Sequence, residues 1–217
     1  MKYQHVVFDI DGTLTDTYGP VMKALSDTVF DLTGTRYAAD ALRPSFGRPG
    51  AEGLRMFGVT EIEKGLYLWN DYLTNRYFGE VTLFDGVLPT LKALSETGVS
   101  LGVITSKTRA EYEASFAQPY PEAARLLPQV VTIDDTVRGK PDPDPMEAYR
   151  KRTGAGEGEV LFIGDTVYDM SCGLSGGADF GLALWGSMDP ETVTRATYRF
   201  RTPEEILDVL RGNDVNA

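Results

Sequence analysis

From about residue 86 onward the chain repeats one rhythm, a helical stretch followed by a short apolar run, and this limits the possible folds more than any other feature. "LPTLKALSETG" leads into "VSLGVIT", the helical "RAEYEASFA" and "EAARLL" into "QVVTI", "PMEAYRKRTG" into "EVLFIGD", and "YDMSCGLSG" into "FGLALWG". An earlier apolar run, "HVVFDI", ends in the turn chemistry of "DGT". Short β-branched and aromatic runs of this kind predict strands buried on both faces. Strands alternating with helices predict an α/β fold, a parallel sheet with helices on both faces. "TPEEILDVLRG" predicts a closing helix capped by Thr202, with Pro203 at its first position.

Residues 17–79 break the rhythm. Apolar positions recur there at helical spacing (Val21, Leu25, Val29, Leu32), and "PGAEGLRMFG" and "EIEKGLYLWNDYLTNRYF" predict two further helices. The longer one carries Ile62, Leu66, Trp69, Leu73 and Tyr77 on one face. The expected organisation is therefore a core of residues 1–16 and 80–217, interrupted by a helical domain over 17–79. A chain of 217 residues can bury a core of that size. Its formal net charge of -11 argues against a nucleic-acid or membrane-surface binder, since both need basic patches. Cys172 is the single cysteine, so no intrachain disulfide is expected. The opening residues hold too few apolar side chains for a signal peptide or spanning helix, which makes the cytoplasm the default.

In an open parallel sheet, ligands bind outside the carboxyl ends of the strands, where the strand order reverses. The polar residues expected at those ends form a coherent set. "HVVFDI" leads to Asp9 and Asp11; "VSLGVIT" to Thr105, Ser106 and Lys107; "EVLFIGD" to Asp165, with Asp169 four residues on. The loop after "QVVTI" passes Asp134 and Asp135, read as solvated, to Lys140 in "GKPDPDP". Clustered carboxylates repel one another unless a cation neutralises them, and hard oxygen donors suit Mg²⁺. A carboxylate can also act as a nucleophile and carry a phosphoryl group. A hydroxyl and an ammonium beside it would hold the charge that spreads over the phosphoryl oxygens. Residues two apart in an extended chain point the same way, so Asp11 can serve as general acid and then general base beside Asp9.

"FDIDGTLTDT", "VITSK", "GKPDPDP" and "GDTVYD" resemble, in order, the four motifs of the haloacid dehalogenase-like (HAD) hydrolase superfamily. "FDGVLPTLKALSETGVSLGVITSK" and "GLALWG" are similar to its phosphoglycolate phosphatase-like branch. The resemblance implies a Rossmann-like core with an inserted α-helical cap. It also implies a Mg-dependent phosphatase acting on a small phosphorylated metabolite, a phosphoglycolate-like ester or a sugar phosphate, as a monomer or homodimer. On that match Asp9 is the nucleophile and Asp11 the acid/base, its backbone carbonyl also on Mg²⁺. Thr105 would bind the phosphoryl group and Lys140 would steady nucleophile and phosphate. Asp165 would complete the metal site and Asp169 would hydrogen-bond into its shell. Ser106 departs from the Asn more usual in this branch and is a candidate substrate contact. The Gly/Pro loop "FGRPGAEG" could project into the site, with Arg48 or Arg55 offered to a substrate carboxylate or second phosphate.

Rival activities are less well served. A dehalogenase would not be expected to carry Asp11. A phosphonatase needs a cap lysine, and Lys23 and Lys64 lack a telling context. A sugar phosphomutase usually has a cap histidine, which is missing between residues 17 and 79. A phospho-acceptor signalling module is shorter and lacks the insertion.

Overall fold

A computed structural model describes residues 2–46 and 48–213. The chain divides into two compact units, one of residues up to Thr15 together with those from Leu83 onward, the other of residues 16–82. The first unit is built on a six-stranded sheet: β1 (His5–Phe8), β2 (Ser100–Ile104), β3 (Gln129–Val131), β4 (Val160–Gly164), β5 (Asp179–Ala183) and β6 (Tyr198–Phe200). All neighbours pair in parallel, in the spatial order β3, β2, β1, β4, β5, β6. This is the Rossmann-like order, and it reverses direction at β1, beside β4.

Side-chain alternation along β1 divides the core. Val6 and Phe8 join Leu101, Val103, Leu161 and Ile163 on one face, under the helices Val87–Glu96 and Glu205–Leu210. Val7 joins Ile104, Val131, Phe162 and Phe180 on the other, under Asp144–Thr153 and Val167–Ser175. Every residue of β1 and of β4 is buried, as strands covered on both sides must be.

The structure differs from the sequence expectations at some boundaries. The last helix begins at Glu205, and Thr202 is not its cap. Residues ahead of it form turns instead, and the Glu205 carboxylate accepts from the Arg201 amide at 2.7 Å. Strand β6, half-buried at Tyr198 and Arg199, lies at the sheet edge and carries no continuous apolar run to announce it.

The second unit has its own core: Met22, Leu25 and Val29 from the helix Tyr18–Thr33 pack with Leu42, Leu54 and Val59. Trp69 packs against that cluster and donates its indole N–H to the Val21 carbonyl at 3.2 Å. Of the expected face of the helix Ile62–Tyr72, Ile62 and Trp69 pack on that cluster while Leu66 is exposed, and Gly65 and Tyr72 are the buried positions. The helix then widens into an i→i+5 turn over Leu73–Tyr77, which shifts the later side chains off a 3.6-residue stripe. Tyr72 and Tyr77 end in hydrogen bonds to Asp31 (2.5 Å) and Asp27 (2.6 Å).

Candidate active site

Strand register brings the site together. Phe8 pairs with Val103 and with Ile163, so Asp9 stands level with Ile104 and Gly164. Thr105 and Asp165 each follow one residue later, at the same edge of the sheet. From the loop after β3, Lys140 reaches back and donates to Asp9 Oδ1 and to Asp169 Oδ1, both at 2.6 Å. All three side chains are nearly sealed from solvent, 7% exposed for Lys140, 9% for Asp9 and 2% for Asp169.

Asp169 is fixed by the helix that carries it. Thr166 caps the helix Val167–Ser175 by accepting from the Asp169 amide at 3.3 Å, and the Asp169 Oδ2 accepts from the Thr166 amide at 3.1 Å. This reciprocal box satisfies helix-end donors and leaves Oδ1 for the lysine. Both Asp169 oxygens are thereby engaged.

The turn after β1 closes on the Ile10 carbonyl, which accepts from the amides of Leu14 and Thr15 at 2.9 Å. Gly12 adopts φ +80°, and a Cβ there would run into the Asp165 carboxylate. Thr13 Oγ1 donates to Asp165 Oδ1 at 3.3 Å. The other oxygen, Asp165 Oδ2, is buried without a hydrogen-bond partner. Such an orphan is unfavourable unless a ligand meets it.

Electrostatics point the same way. Burial pushes the Asp9 carboxyl up to about 7; Lys140 opposes the rise, and Asp169 and Asp11 add to it. Burial also carries Asp165 well above the ordinary carboxyl range, helped by Asp169 and Asp9. For Lys140, burial disfavours the ammonium, but Asp169 and Asp9 outweigh it and the pKa rises. With the carboxyls ionised, Asp9, Asp165 and Asp169 set three negative charges against one ammonium, an excess of two. Each of the three places a carboxylate oxygen within 4.8 Å of the others. A divalent cation fits this donor set in charge, in oxygen chemistry and in the orphaned Oδ2.

Asp11 lies apart from this cluster. Its carboxylate is 36% exposed and pairs with Lys107 Nζ at 2.8 Å, so the second lysine at the strand ends serves the second aspartate. Thr105 is buried, and its Oγ1 accepts from the Lys107 amide at 3.2 Å. Ser106 is exposed on the same loop. Arg48 belongs to the helical unit, where it pairs with Glu52 and donates to the Pro44 carbonyl at 2.8 Å; Gly47, next to it in the expected loop, lies outside the described residues.

Four contributors escaped the sequence reading. Thr166 had a signal, the Thr-x-x-Asp spacing of a capping box. Thr13 had little, and so had Trp185 and Ser187, which donate to the main-chain carbonyls of Thr13 (2.8 Å) and Asp165 (2.6 Å). Asp134 and Asp135, read as solvated, are engaged: Asp134 accepts from the Arg109 amide at 2.7 Å, and Asp135 pairs with Arg109 and Arg152 at 3.0 and 2.9 Å.

A parallel sheet of this order, with buried carboxylates gathered at its switch point, defines the class as a Rossmann-like α/β core. The chain belongs to the haloacid dehalogenase-like hydrolase family, whose pattern matches residues 6–183. It is 27% identical to a provisionally named pyrophosphatase PpaX of Caldanaerobacter subterraneus over 216 residues, 99% of this chain and 97% of that protein. Pyrophosphatase PpaX of Bacillus velezensis is 24% identical over 189 residues, 87% of each chain. A crystal structure of a provisionally named phosphoglycolate phosphatase from Lactobacillus plantarum superposes with a TM-score of 0.87 at 28% identity, covering 96% of this chain and 100% of that one.

Proposed function

We propose that the protein is a Mg²⁺-dependent phosphatase that works through a phosphoaspartate on Asp9, with a small phosphorylated metabolite as substrate. The observation that carries this reading is the buried Asp9–Lys140–Asp169 bridge beside the orphaned Asp165 Oδ2. The direct metal donors would be Asp9, Asp165 and the Asp11 main-chain carbonyl, with Asp169 acting through its hydrogen bonds. When bound, Mg²⁺ offsets the carboxylate charge and neutralises phosphate oxygens.

Lys140 holds Asp9 Oδ1, which orients the carboxylate and leaves Oδ2 to attack phosphorus. As the Asp9–phosphorus bond forms, the bond from phosphorus to the leaving oxygen breaks and Asp11 supplies that oxygen with a proton. Water then attacks the phosphoaspartate, gives its proton to Asp11, and the Asp9 carboxylate and inorganic phosphate are released. Thr105 Oγ1 accepts from a backbone amide, so its own proton is available to a phosphoryl oxygen. Ser106, on the same loop, is assigned to the substrate.

The names of the similar proteins, pyrophosphatase and phosphoglycolate phosphatase, share a chemical trait: the leaving group keeps a negative charge. That trait supports a substrate with a second anion, ahead of a neutral sugar phosphate. We assign the helical unit the role of a cap that selects it, with Arg48 as the contact to that anion. An exposed i,i+4 pair such as Arg48–Glu52 is worth only about 0.3–0.5 kcal/mol and would yield to a substrate. A cytoplasmic monomer or homodimer suits a metabolite enzyme with a single cysteine.

The test is phosphate release from pyrophosphate, phosphoglycolate and an aryl phosphate, with Mg²⁺ and with EDTA. Wild type should require Mg²⁺. Asp9→Asn, nearly isosteric but not nucleophilic, should be inactive on all three. Undiminished release in EDTA, or by a well-folded Asp9→Asn protein, would refute the reading.

A further inference from the structure

The loop after β5, residues 184–187, touches the site at three points. Trp185 Nε1 donates to the Thr13 carbonyl at 2.8 Å. Ser187 Oγ donates to the Asp165 carbonyl at 2.6 Å. Between them Gly186 lies so close to the Gly12 carbonyl that a Cβ at 186 would overlap it. The loop thus grips both walls of the slot that holds the Asp165 carboxylate: the Gly12–Thr13 turn on one side and the Asp165 main chain on the other. Gly12 leaves no room on its side, and Thr13 Oγ1 holds Oδ1. The carboxylate is therefore confined, with its unpartnered Oδ2 fixed relative to Asp9.

We infer that Trp185 and Ser187 are positioning residues for the cation site: they fix the distance between the turn after β1 and Asp165, and so set the affinity for a divalent cation. The inference rests on the metal reading given above. Neither side chain supplies a ligand. Their effect passes through two main-chain carbonyls and a glycine contact, and it reaches the donor whose oxygen lacks a partner.

Outer partners of metal ligands typically alter affinity by about 10–100-fold when removed. The probe is Mg²⁺ alone, titrated calorimetrically into the metal-free full-length protein. Ser187→Ala removes the hydroxyl and Trp185→Phe removes the indole N–H while keeping an aromatic ring. Each should weaken Mg²⁺ binding by about tenfold, while Ser187→Thr, which keeps a hydroxyl, should bind nearly as wild type does. Saturating Mg²⁺ should restore kcat, so the defect appears in the Mg²⁺ requirement. Unchanged affinity in both Ser187→Ala and Trp185→Phe would overturn the inference. So would weakening only in step with a general loss of near-ultraviolet circular dichroism and a lower Tm, since the loop would then serve packing alone. Failure of the wild type itself to bind Mg²⁺ would overturn the metal reading beneath, a result distinct from either.

Discussion

Lys140 shows how much one residue carries here. Among the described residues its ammonium is the single cation bonded to Asp9 and Asp169, and all three side chains are nearly sealed from solvent. Removing one partner of a buried ion pair leaves an uncompensated charge and typically destabilises by about 3–5 kcal/mol. Lys140→Met keeps most of the apolar stem and deletes the charge. It should lower the unfolding free energy in EDTA by that order, read as a lower urea midpoint, and abolish turnover; an unchanged midpoint would mean that the bridge is no part of the fold's stability. At this scale the sequence was legible where a residue type has few uses and a fixed place. Asp9, Asp165 and Asp169 could be placed because strand ends and a helix start fixed them. Choosing between Lys107 and Lys140 as the partner of Asp9 was beyond residue chemistry, since both follow strand ends; motif resemblance favoured Lys140, and the structure gives Lys107 to Asp11. Trp185 and Ser187 were illegible because a main-chain carbonyl, the group they grip, is offered by every residue.

At the scale of elements, the turn Ile133–Asp135 after β3 carries a separable prediction. Asp135 accepts from the Thr132 amide at 2.8 Å and hydroxyl at 2.9 Å, and pairs with Arg152 and Arg109. Burial alone would raise its pKa, but the Thr132 donors and Arg152 outweigh it and pull the carboxyl down to about 2. A depressed carboxyl stabilises the fold above its unfolded pKa of about 3.9, and the contribution is lost as pH falls through the folded value. Asp135→Asn should therefore cost about 1–2 kcal/mol at pH 7, an estimate kept low for solvent screening. The gap from wild type should narrow below about pH 4 and close near pH 2. Urea midpoints at a series of pH values would show it, and a gap independent of pH would assign the loss to shape rather than charge. The sheet interior was readable because β1, β2 and β4 are continuous apolar runs. The edge strand β6 was not, since one side of it has no strand neighbour and its residues need not be apolar. The start of the last helix was misplaced because Pro203 serves equally in a turn.

For the whole molecule, the two units have separate cores, and the proposed division of labour follows that separation. The proposed metal-site residues Asp9, Asp11, Asp165 and Asp169 and the proposed phosphoryl contacts Thr105 and Lys140 all belong to the sheet unit. The helical character of residues 16–82 was legible, while any substrate preference was not, because specificity depends on a few side chains with no required spacing. Leu25 offers a way to separate the units: it is fully buried in the helical unit's own cluster with Met22, Val29 and Leu54. Leu→Ala at such a position typically costs about 2–5 kcal/mol, depending on how far the cavity collapses. If the helical unit selects substrate and the sheet unit holds the chemistry, Leu25→Ala should loosen only the first. Hydrogen exchange should then rise over residues 16–82 and stay low in β1, β2 and β4. Calorimetric Mg²⁺ affinity should remain at the wild-type value. Turnover should fall more for pyrophosphate or phosphoglycolate than for an aryl phosphate, whose recognition needs little beyond the phosphoryl group. Loss of Mg²⁺ binding together with protection in β1 would instead mean that the two cores fold as one cooperative body, and an equal loss on every substrate would remove selection from the helical unit.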